Sequence, residues 1–319
     1  MTQRILGALL PLLLAPVLGA QQAPGLPAFA PMNPVAQARS GLYAPALVAP
    51  GGGWRWNASL DYASLIEYNT GGGTSYLLDA EVSRIGFTAG HDLSPRYFFE
   101  LGGNLGSAGS GFMDGFFNWY HRLLGLSIPE RALRPLDAFA YQVDLPDGRP
   151  RIREPGTHLG DVRVSLGRRH NPGVQTVLTA TLPTGTGGDG YARGVPSIST
   201  ITTVLTPIGS RGSFQGSAGL GYTAAHGDLR RYQKEIFGSA TSGFGLRFWG
   251  HQHLYAQLFY HTPYYRGTPW PALDRGDLSL NYGWMLKTAG RTWRIGMTED
   301  VYPSGPAVDA TFEFSLTWE

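Results

Sequence analysis

The residues best suited to catalysis lie in one stretch with helical spacing. Ser110, Asp114 and His121 supply the side-chain types of a hydrolytic triad, and Asp114 and His121 share a helix face because they lie seven residues apart. Ser110 stands in no G-x-S-x-G elbow, the turn that exposes a nucleophilic serine in hydrolases. Asp114 near a helix start also suits the helix dipole without any catalytic role. The set is a weak triad candidate, and a solvated polar helix face is the simpler interpretation.

The histidines and the Gly-rich loop do not indicate a metal or cofactor site. His251 and His253 share one strand face, but His261 lies at the far end of that strand, roughly 26 Å away at about 3.3 Å per residue. The chain contains no Cys, which excludes thiolate ligands, Cys nucleophiles and disulfides. The Gly-rich segment 182–190 lacks the lysine of a phosphate-binding loop. We expect neither a metal nor another cofactor.

The arginines form a candidate phosphate-binding surface. Arg outnumbers Lys by 23 to 2, and a guanidinium group binds phosphate in a bidentate manner. Six arginines concentrate in one long segment: Arg122, Arg131, Arg134, Arg149, Arg151 and Arg153. They predict surface contact with lipid phosphates, and the alternative is a general compositional preference for arginine.

The elements that must position these residues are strands. From Trp54 onward, apolar and polar residues alternate with a period of two, which is typical of a strand with one apolar and one wet face. If residues 106–157 form one long loop, the pattern predicts twelve strands that are joined alternately by short and long links. An even count, short turns on one rim and long loops on the other are typical of outer-membrane barrels. The sequence therefore predicts an all-β fold, a transmembrane antiparallel barrel of about 12 strands.

Composition supports a membrane barrel over a secreted β-sandwich. Among 319 residues only 15% are charged while 12% are aromatic, and 45 are Gly. A soluble sandwich also alternates, but it has no reason to keep large apolar residues on one face of nearly every strand. The aromatic content argues against disorder, and a net charge of +2 argues against a nucleic-acid partner.

Two segments precede the barrel. Residues 1–20 combine Arg4, a Leu-rich apolar stretch and the small residues Gly19 and Ala20, which predicts a signal peptide for export. Residues 21–52 are rich in Pro, Ala and Gly, and we expect a flexible arm there. The barrel domain would span 53–319, and its final strand with Trp318 predicts recognition by the barrel assembly machinery.

The long outer loop 106–157 carries its own elements. Apolar residues at helical spacing predict a helix over 112–124, and a turn at Pro146 to Gly148 predicts a small hairpin over 138–153. This second outer loop has room to cover the barrel mouth, enter the lumen or lie on the lipid surface.

Charged residues of mixed sign occupy the wet face of the alternating pattern. They are Arg55, Asp61, Glu67, Asp79, Glu81, Arg96, Glu100, Arg163, Arg247, Arg294 and Glu313. In a twelve-stranded barrel, wider than the eight-stranded kind whose side chains fill the interior, they either pair and brace the wall or line an aqueous path.

Four short motifs, in order along the chain, resemble a known family. SGFMDGFFNWYH (110–121), HLGDVRVSL (158–166), LPTGTG (182–187) and TED (298–300) are similar to the uncharacterised bacterial family catalogued as domain of unknown function 3187. The resemblance implies an exported β-barrel with no established reaction, and it supplies no catalytic residues.

These patterns predict a monomeric barrel of the bacterial outer membrane, in contact with outer-membrane lipid, that acts as a passive channel for small solutes. The loop 106–157 would gate or plug it. The alternatives are a lipid-acting enzyme that uses 110–121 and a structural or surface-binding barrel with a closed lumen.

Overall fold

The computed structural model describes residues 25–39, 45–51, 53–71, 73–123, 125, 129–145, 150–302 and 309–319. The segment predicted as a signal peptide lies outside these residues. The described helices are α1 (Pro34–Arg39) and α2 (Asp114–Leu123), with 3-10 turns at Pro129–Leu133 and Arg230–Tyr232. The strands are β1 (Trp54–Gly71), β2 (Thr74–Asp92), β3 (Tyr97–Gly109), β4 (Ala140–Asp144), β5 (Pro150–Ile152), β6 (Gly156–Leu159), β7 (Val162–Asn171), β8 (Val174–Leu182), β9 (Ser197–Ile208), β10 (Gly212–Thr223), β11 (Ile236–Trp249), β12 (Gln252–His261), β13 (Asp277–Thr288), β14 (Arg291–Tyr302) and β15 (Ala310–Trp318).

Twelve strands form a closed antiparallel barrel, as the sequence predicts. β1, β2, β3 and β7 to β15 pair in chain order, and β15 returns to β1 with Tyr62 opposite Phe312. In the described part of the chain, closure gives each of these twelve strands a neighbour on both sides, which is the condition for strands to cross hydrocarbon. We call the rim with the short turns, such as the one between β13 and β14, the turn end, and the opposite rim the loop end.

The outer surface carries the apolar belt of an outer-membrane barrel. Leu220 of β10 is 62% exposed and Phe244 of β11 is 57% exposed, and the same outward positions around the wall carry large apolar residues. A soluble protein rarely exposes a continuous apolar surface of this extent. Among the described residues, no helix is long and apolar enough to cross a membrane.

The long excursion adds to the wall and its outer surface. β3 continues to Gly109, β4 pairs with the loop-end part of β2, and β6 pairs with β3, so the short strands extend the wall at the loop end. The predicted helix in the second outer loop is confirmed, and α2 packs on the outside of the barrel. There the Phe117 ring stacks on Phe312 at 5.5 Å. The expectation that 106–157 plugs the lumen is therefore wrong for α2.

The inner face changes character toward the loop end. Tyr76 and Leu78 of β2 are completely buried inside the barrel, whereas Asp79 and Glu81 point outward under the long loop. Assigning Asp79 and Glu81 to the lumen was wrong, because a hydrophobic core fills this end of the barrel and reverses the apolar phase of β2.

Candidate functional site

The N-terminal arm occupies the lumen. At the turn-end half, the Leu26 amide donates to Gln215 Oε1 of β10 at 3.0 Å, and Gln257 Nε2 of β12 donates to the Pro27 carbonyl at 3.3 Å. The Val48 amide donates to Gln175 Oε1 of β8 at 2.9 Å. A segment that contacts strands all around the wall must lie inside it. The sequence predicts a flexible arm, but its described residues 25–39 and 45–49 pack inside the barrel.

Cationic side chains of the wall bind the arm through its carbonyl oxygens. Arg294 Nη1 of β14 donates to the Ala28 carbonyl at 2.9 Å. Arg84 of β2 donates to the carbonyls of Pro31 and Ala30 at 3.1 and 3.2 Å. Proline-rich backbone offers acceptors but few donors, so it suits a wall rich in guanidinium and amide donors.

Helix α1 closes the loop end. Arg39, at its last residue, is 2% exposed and donates to the carbonyls of Thr223, Ala224 and Lys234 at 3.0 to 3.1 Å. Val35 and the completely buried Ala36 pack in the loop-end core. The core includes Tyr76, Tyr264, Trp270 and Leu273 from the wall and the loop between β12 and β13. Burial of this apolar surface stabilises the arm in its place.

Most charges of the lumen pair along the wall. Arg84 lies 2.9 Å from Asp61, its direct neighbour in the β1–β2 register. Arg294 and Glu313 bond between β14 and β15, and Asn281 Nδ2 donates to the same carboxylate at 2.8 Å. Because the partners are on adjacent strands, these pairs brace the wall without bridging the lumen.

A cavity of about 400 Å³ remains between the arm and the wall at the turn end. The arm contributes an apolar side with Leu26 and Leu47, and the wall contributes polar and charged groups that include Arg55 and Lys287. Arg55 Nη2 is buried and has no hydrogen-bond partner among the residues that the structure describes. The cavity is large enough for a small solute.

Comparison with known families decides the classification. The model of the family described as "Protein of unknown function (DUF3187)" matches residues 12–319. The chain belongs to this family. The motifs at 110–121, 158–166, 182–187 and 298–300 thus correctly indicate DUF3187, while no curated protein matches the chain.

Solved structures similar to this DUF3187 chain include three transport proteins. The CymD monoaromatic hydrocarbon channel has 11% identity, covers 91% of this chain and 97% of that chain, and gives a TM-score of 0.43. The NanC porin has 6% identity, with 83% and 99% coverage and a TM-score of 0.46. The Ralstonia pickettii toluene transporter TbuX has 8% identity, with 91% and 98% coverage and a TM-score of 0.43.

The predicted lumen charges divide into three groups in the DUF3187 barrel. Most face inward, and Glu67 accepts from Asn33 Nδ2 of the arm at 2.7 Å. The inward set is Arg55, Asp61, Glu67, Glu100, Arg163, Arg247, Arg294 and Glu313. Asp79 and Glu81 face outward, as described above. Arg96 lies exposed in the turn between β2 and β3, beyond the wall.

The weak triad candidates are not brought together. Asp114 accepts from Ser64 and Arg131, whereas His121 Nε2 lies 3.4 Å from Glu299 Oε2 of β14. Ser110 is exposed in the link before α2. Burial lowers the pKa of His121, but the hydrogen bond and charge of Glu299 outweigh burial and raise it overall. The pairing of His121 with Glu299 fastens α2 to the barrel wall.

The long-loop arginines are mostly engaged within the chain. Arg131 is buried and bonds Asp114 at 2.9 Å, Asp309 at 2.6 Å and Asp79 at 3.4 Å. The other engaged arginines are Arg134, bonded to Asp79, and Arg151 and Arg153, both bonded to Asp228. Arg122 is exposed on α2, and Arg149 lies outside the described residues. Contact with lipid phosphates therefore remains a prediction for Arg122 and Arg149.

Two sets of residues are of the types that bind metals. Glu81, Asp114 and Asp137 bring carboxylate oxygens within 4.8 Å of one another. The amides of Phe112 and Met113 already bind Glu81, so donors of this chain compensate the acidic charge. Among the predicted histidines, His251 is exposed, while His253 and His261 are buried on the inner face.

The sequence pattern singled out Arg294 and Glu67 but missed most of the lumen residues that bind the arm. The missed residues are Arg84, Arg169, Gln175, Gln215 and Gln257. The alternation of each strand shows which glutamines face inward, and this could have indicated that they bind something in the lumen. A glutamine at an inward position needs a hydrogen-bond partner or water. The partner was hidden because the arm has no periodic pattern of its own.

Proposed function

We propose that this protein is an exported outer-membrane channel for small polar solutes, and that its own N-terminal arm is the plug. The observation that supports this proposal is the way the arm is held. The wall donates to its backbone carbonyls, as Arg294 does to Ala28 and Arg84 to Pro31. Removal of the arm would return each donor to water, and it would leave the pairs between adjacent strands intact.

The chemistry of the inner wall supports polar solutes with weak charge selectivity. One side of the wall carries charges of both signs, such as Arg84 beside Asp61. The other side is mostly uncharged and polar, with Arg247 of β11 near the turn end as its charged member. Its buried polar residues are Gln175, Thr179, Thr203, Ser213, Gln215 and Gln257. A channel selects ions by a ring of one sign, and this wall has charges of both signs on one side only. The cavity at the turn end would be the compartment that a solute meets below the plug.

The setting of the channel is part of the proposal. Export would use the predicted signal peptide 1–20, and insertion would use recognition of the last strand, with Trp318, by the assembly machinery. The barrel would act as a monomer surrounded by outer-membrane lipid.

A liposome swelling assay tests the proposal. The full mature chain and a variant without residues 25–49 are reconstituted, and the swelling rate is measured with a neutral pentose and a disaccharide. Heat-modifiable gel mobility verifies that each barrel is folded. We expect slow swelling with the full chain and fast, size-dependent swelling without the arm. Folded barrels that stay impermeable without the arm would overturn the channel and favour the closed structural barrel.

A second variant keeps the test informative if the deletion does not fold. The double substitution Gln215→Ala and Gln257→Ala removes two side chains that bind the arm near Leu26 and Pro27. We expect it to swell faster than the full chain. The matched control is Thr202→Ala, which changes an exposed outward position of β9 and should leave the swelling rate unchanged.

A further inference from the structure

Helix α2 has three distinct faces. Phe117 and His121 are buried against the barrel wall. Phe116, Trp119 and Leu123 form a second, apolar face that is 40%, 51% and 67% exposed, respectively. At 100° per residue, the two faces point in nearly opposite directions around the helix axis. The third face is polar, carries Asn118 and Arg122, and separates the other two on one side.

The contacts of α2 show which way its apolar face points. The Phe116 ring lies 5.5 Å from Phe312, on the outer surface of β15. Asp114 instead binds Ser64, and in the β1–β15 register Ser64 pairs with Ala310, two residues closer to the loop end than Phe312. The polar anchors therefore lie toward the loop end, and the apolar face lies toward the belt.

The apolar face of α2 continues the apolar belt of the barrel. The exposed Phe112, just before the helix, lies 5.7 Å from Tyr62 of β1. Tyr120 bonds through its hydroxyl to the Tyr282 hydroxyl of β13 at 2.8 Å. These aromatic residues lie closer to the loop end than the outward Leu60 of β1 and Phe314 of β15. A girdle of aromatic residues at this height is typical of the boundary between acyl chains and headgroups.

We propose that α2 is an interfacial helix that lies in the outer-leaflet boundary, with Phe116, Trp119 and Leu123 among the lipid acyl chains. The polar face with Arg122 points away from the hydrocarbon. A short helix with one apolar and one polar face binds a membrane surface in this orientation. Here the helix is also fastened to a barrel, so its depth is set by protein contacts. The inference rests on the membrane position of the barrel and is independent of whether the lumen conducts.

Single-cysteine labelling tests this proposal cleanly because the chain has no Cys. Trp119→Cys and Phe116→Cys are labelled with an environment-sensitive fluorophore in phosphatidylcholine vesicles. Quenching by iodide in water is compared with quenching by brominated acyl chains. Arg122→Cys is the matched control on the polar face. Leu220→Cys, on the outward surface of β10, is the control in the belt.

We expect the labels at 116 and 119 to behave like the label at 220, with blue-shifted emission, at least twofold quenching by brominated lipid and little by iodide. The label at 122 should show the reverse. Iodide quenching at 119 as strong as at 122 would overturn the proposal. Protection from both quenchers would also overturn it, since the face would then be covered by protein, such as a second copy. Two independent positions keep the test valid if one variant fails to fold.

Discussion

Arg294 on the inner wall donates to the carbonyl oxygen of Ala28 in the arm, at 2.9 Å. The same guanidinium bonds Glu313 on the neighbouring strand. Arg294 thus contacts both the wall and the plug. Glu313 compensates its charge whether or not the arm is bound. At these positions the arm offers neutral carbonyl acceptors to charged donors, and each such bond contributes about 1.5–3 kcal/mol net. These bonds are distributed along the arm, so its complete release requires contacts to break at several positions.

Arg39 is the anchor of the arm at the loop end. We expect Arg39→Gln to loosen α1, because three carbonyls lose a buried charged donor. Cells that produce the variant should become more sensitive to large hydrophilic antibiotics, with the amount of folded barrel unchanged. Arg275→Gln, at an exposed loop position, is the control and should have no effect. Equal sensitivity of cells with Arg39→Gln and Arg275→Gln would argue against α1 as a barrier.

Arg131 holds the long loop against the outer wall. Arg131→Ala would leave the carboxylates of Asp79, Asp114 and Asp309 without their shared cation in a buried site. Breaking such a buried pair costs about 3–5 kcal/mol, and we expect the loop to detach while the barrel stays folded. Trypsin should cleave within 110–137 at least tenfold faster. The matched control is Arg122→Ala, which removes an exposed arginine of the same loop. Equal rates of trypsin cleavage in the two variants would contradict the conclusion that the ion pairs of Arg131 hold the loop.

The docking of α2 should weaken as pH rises. Burial lowers the pKa of His121, but Glu299 outweighs burial and raises this pKa above 6.5. His121 therefore binds its proton more tightly in the docked helix than in a detached loop. This contribution is fully present below about pH 6.5 and is lost as pH rises through the folded pKa. Burial raises the pKa of Asp309 to about 6, although the charge of Arg131 opposes this shift. The raised pKa of Asp309 also makes docking weaker as pH rises.

Amide hydrogen exchange in α2, corrected for intrinsic rates, measures this dependence between pH 5 and pH 8. We expect protection to fall with pH in the natural chain. In His121→Gln the fall above pH 6.5 should disappear, while Asn118→Gln on the polar face should keep it. An unchanged profile in His121→Gln would show that the pairing with Glu299 does not contribute.

Gly167 makes room for a buried ring in the lumen. A Cβ atom at this position would overlap the Phe98 ring, which is completely buried with the Arg169 guanidinium 4.7 Å from its centroid. Gly167→Ala should destabilise the barrel by about 1–3 kcal/mol through overpacking. The urea midpoint measures this loss. Gly103→Ala, in β3 with open space around its Cβ, is the matched control, and equal midpoints would contradict the packing argument.

Most of the barrel could be predicted from the sequence because its outward face obeys one rule. Lipid requires apolar side chains at every second position, so Phe312 and Phe314 of β15 alternate with polar inward residues. The helix in the second outer loop was also predictable, since its period differs from that of the strands. The phase of β2 was not, because Tyr76 and Leu78 are apolar and face inward toward a loop-end core that no single strand reveals.

The arm could not be predicted because its fold is dictated by the wall. Pro27 and Pro31 disfavour regular hydrogen-bonded structure, and such a segment is therefore predicted from sequence to be flexible. Their carbonyls become ordered only when Gln257 and Arg84 surround them. Side chains from distant strands therefore decide the conformation of a segment that has no pattern of its own.

Single-channel conductance in a planar bilayer tests the central claim, that the arm closes the lumen, most directly. The full mature chain and the variant without residues 25–49 are compared at equal amounts of folded barrel. The structure predicts a nearly silent full chain and discrete, stable conductance steps without the arm. Equal conductance of the two chains, whether both silent or both open, would contradict it.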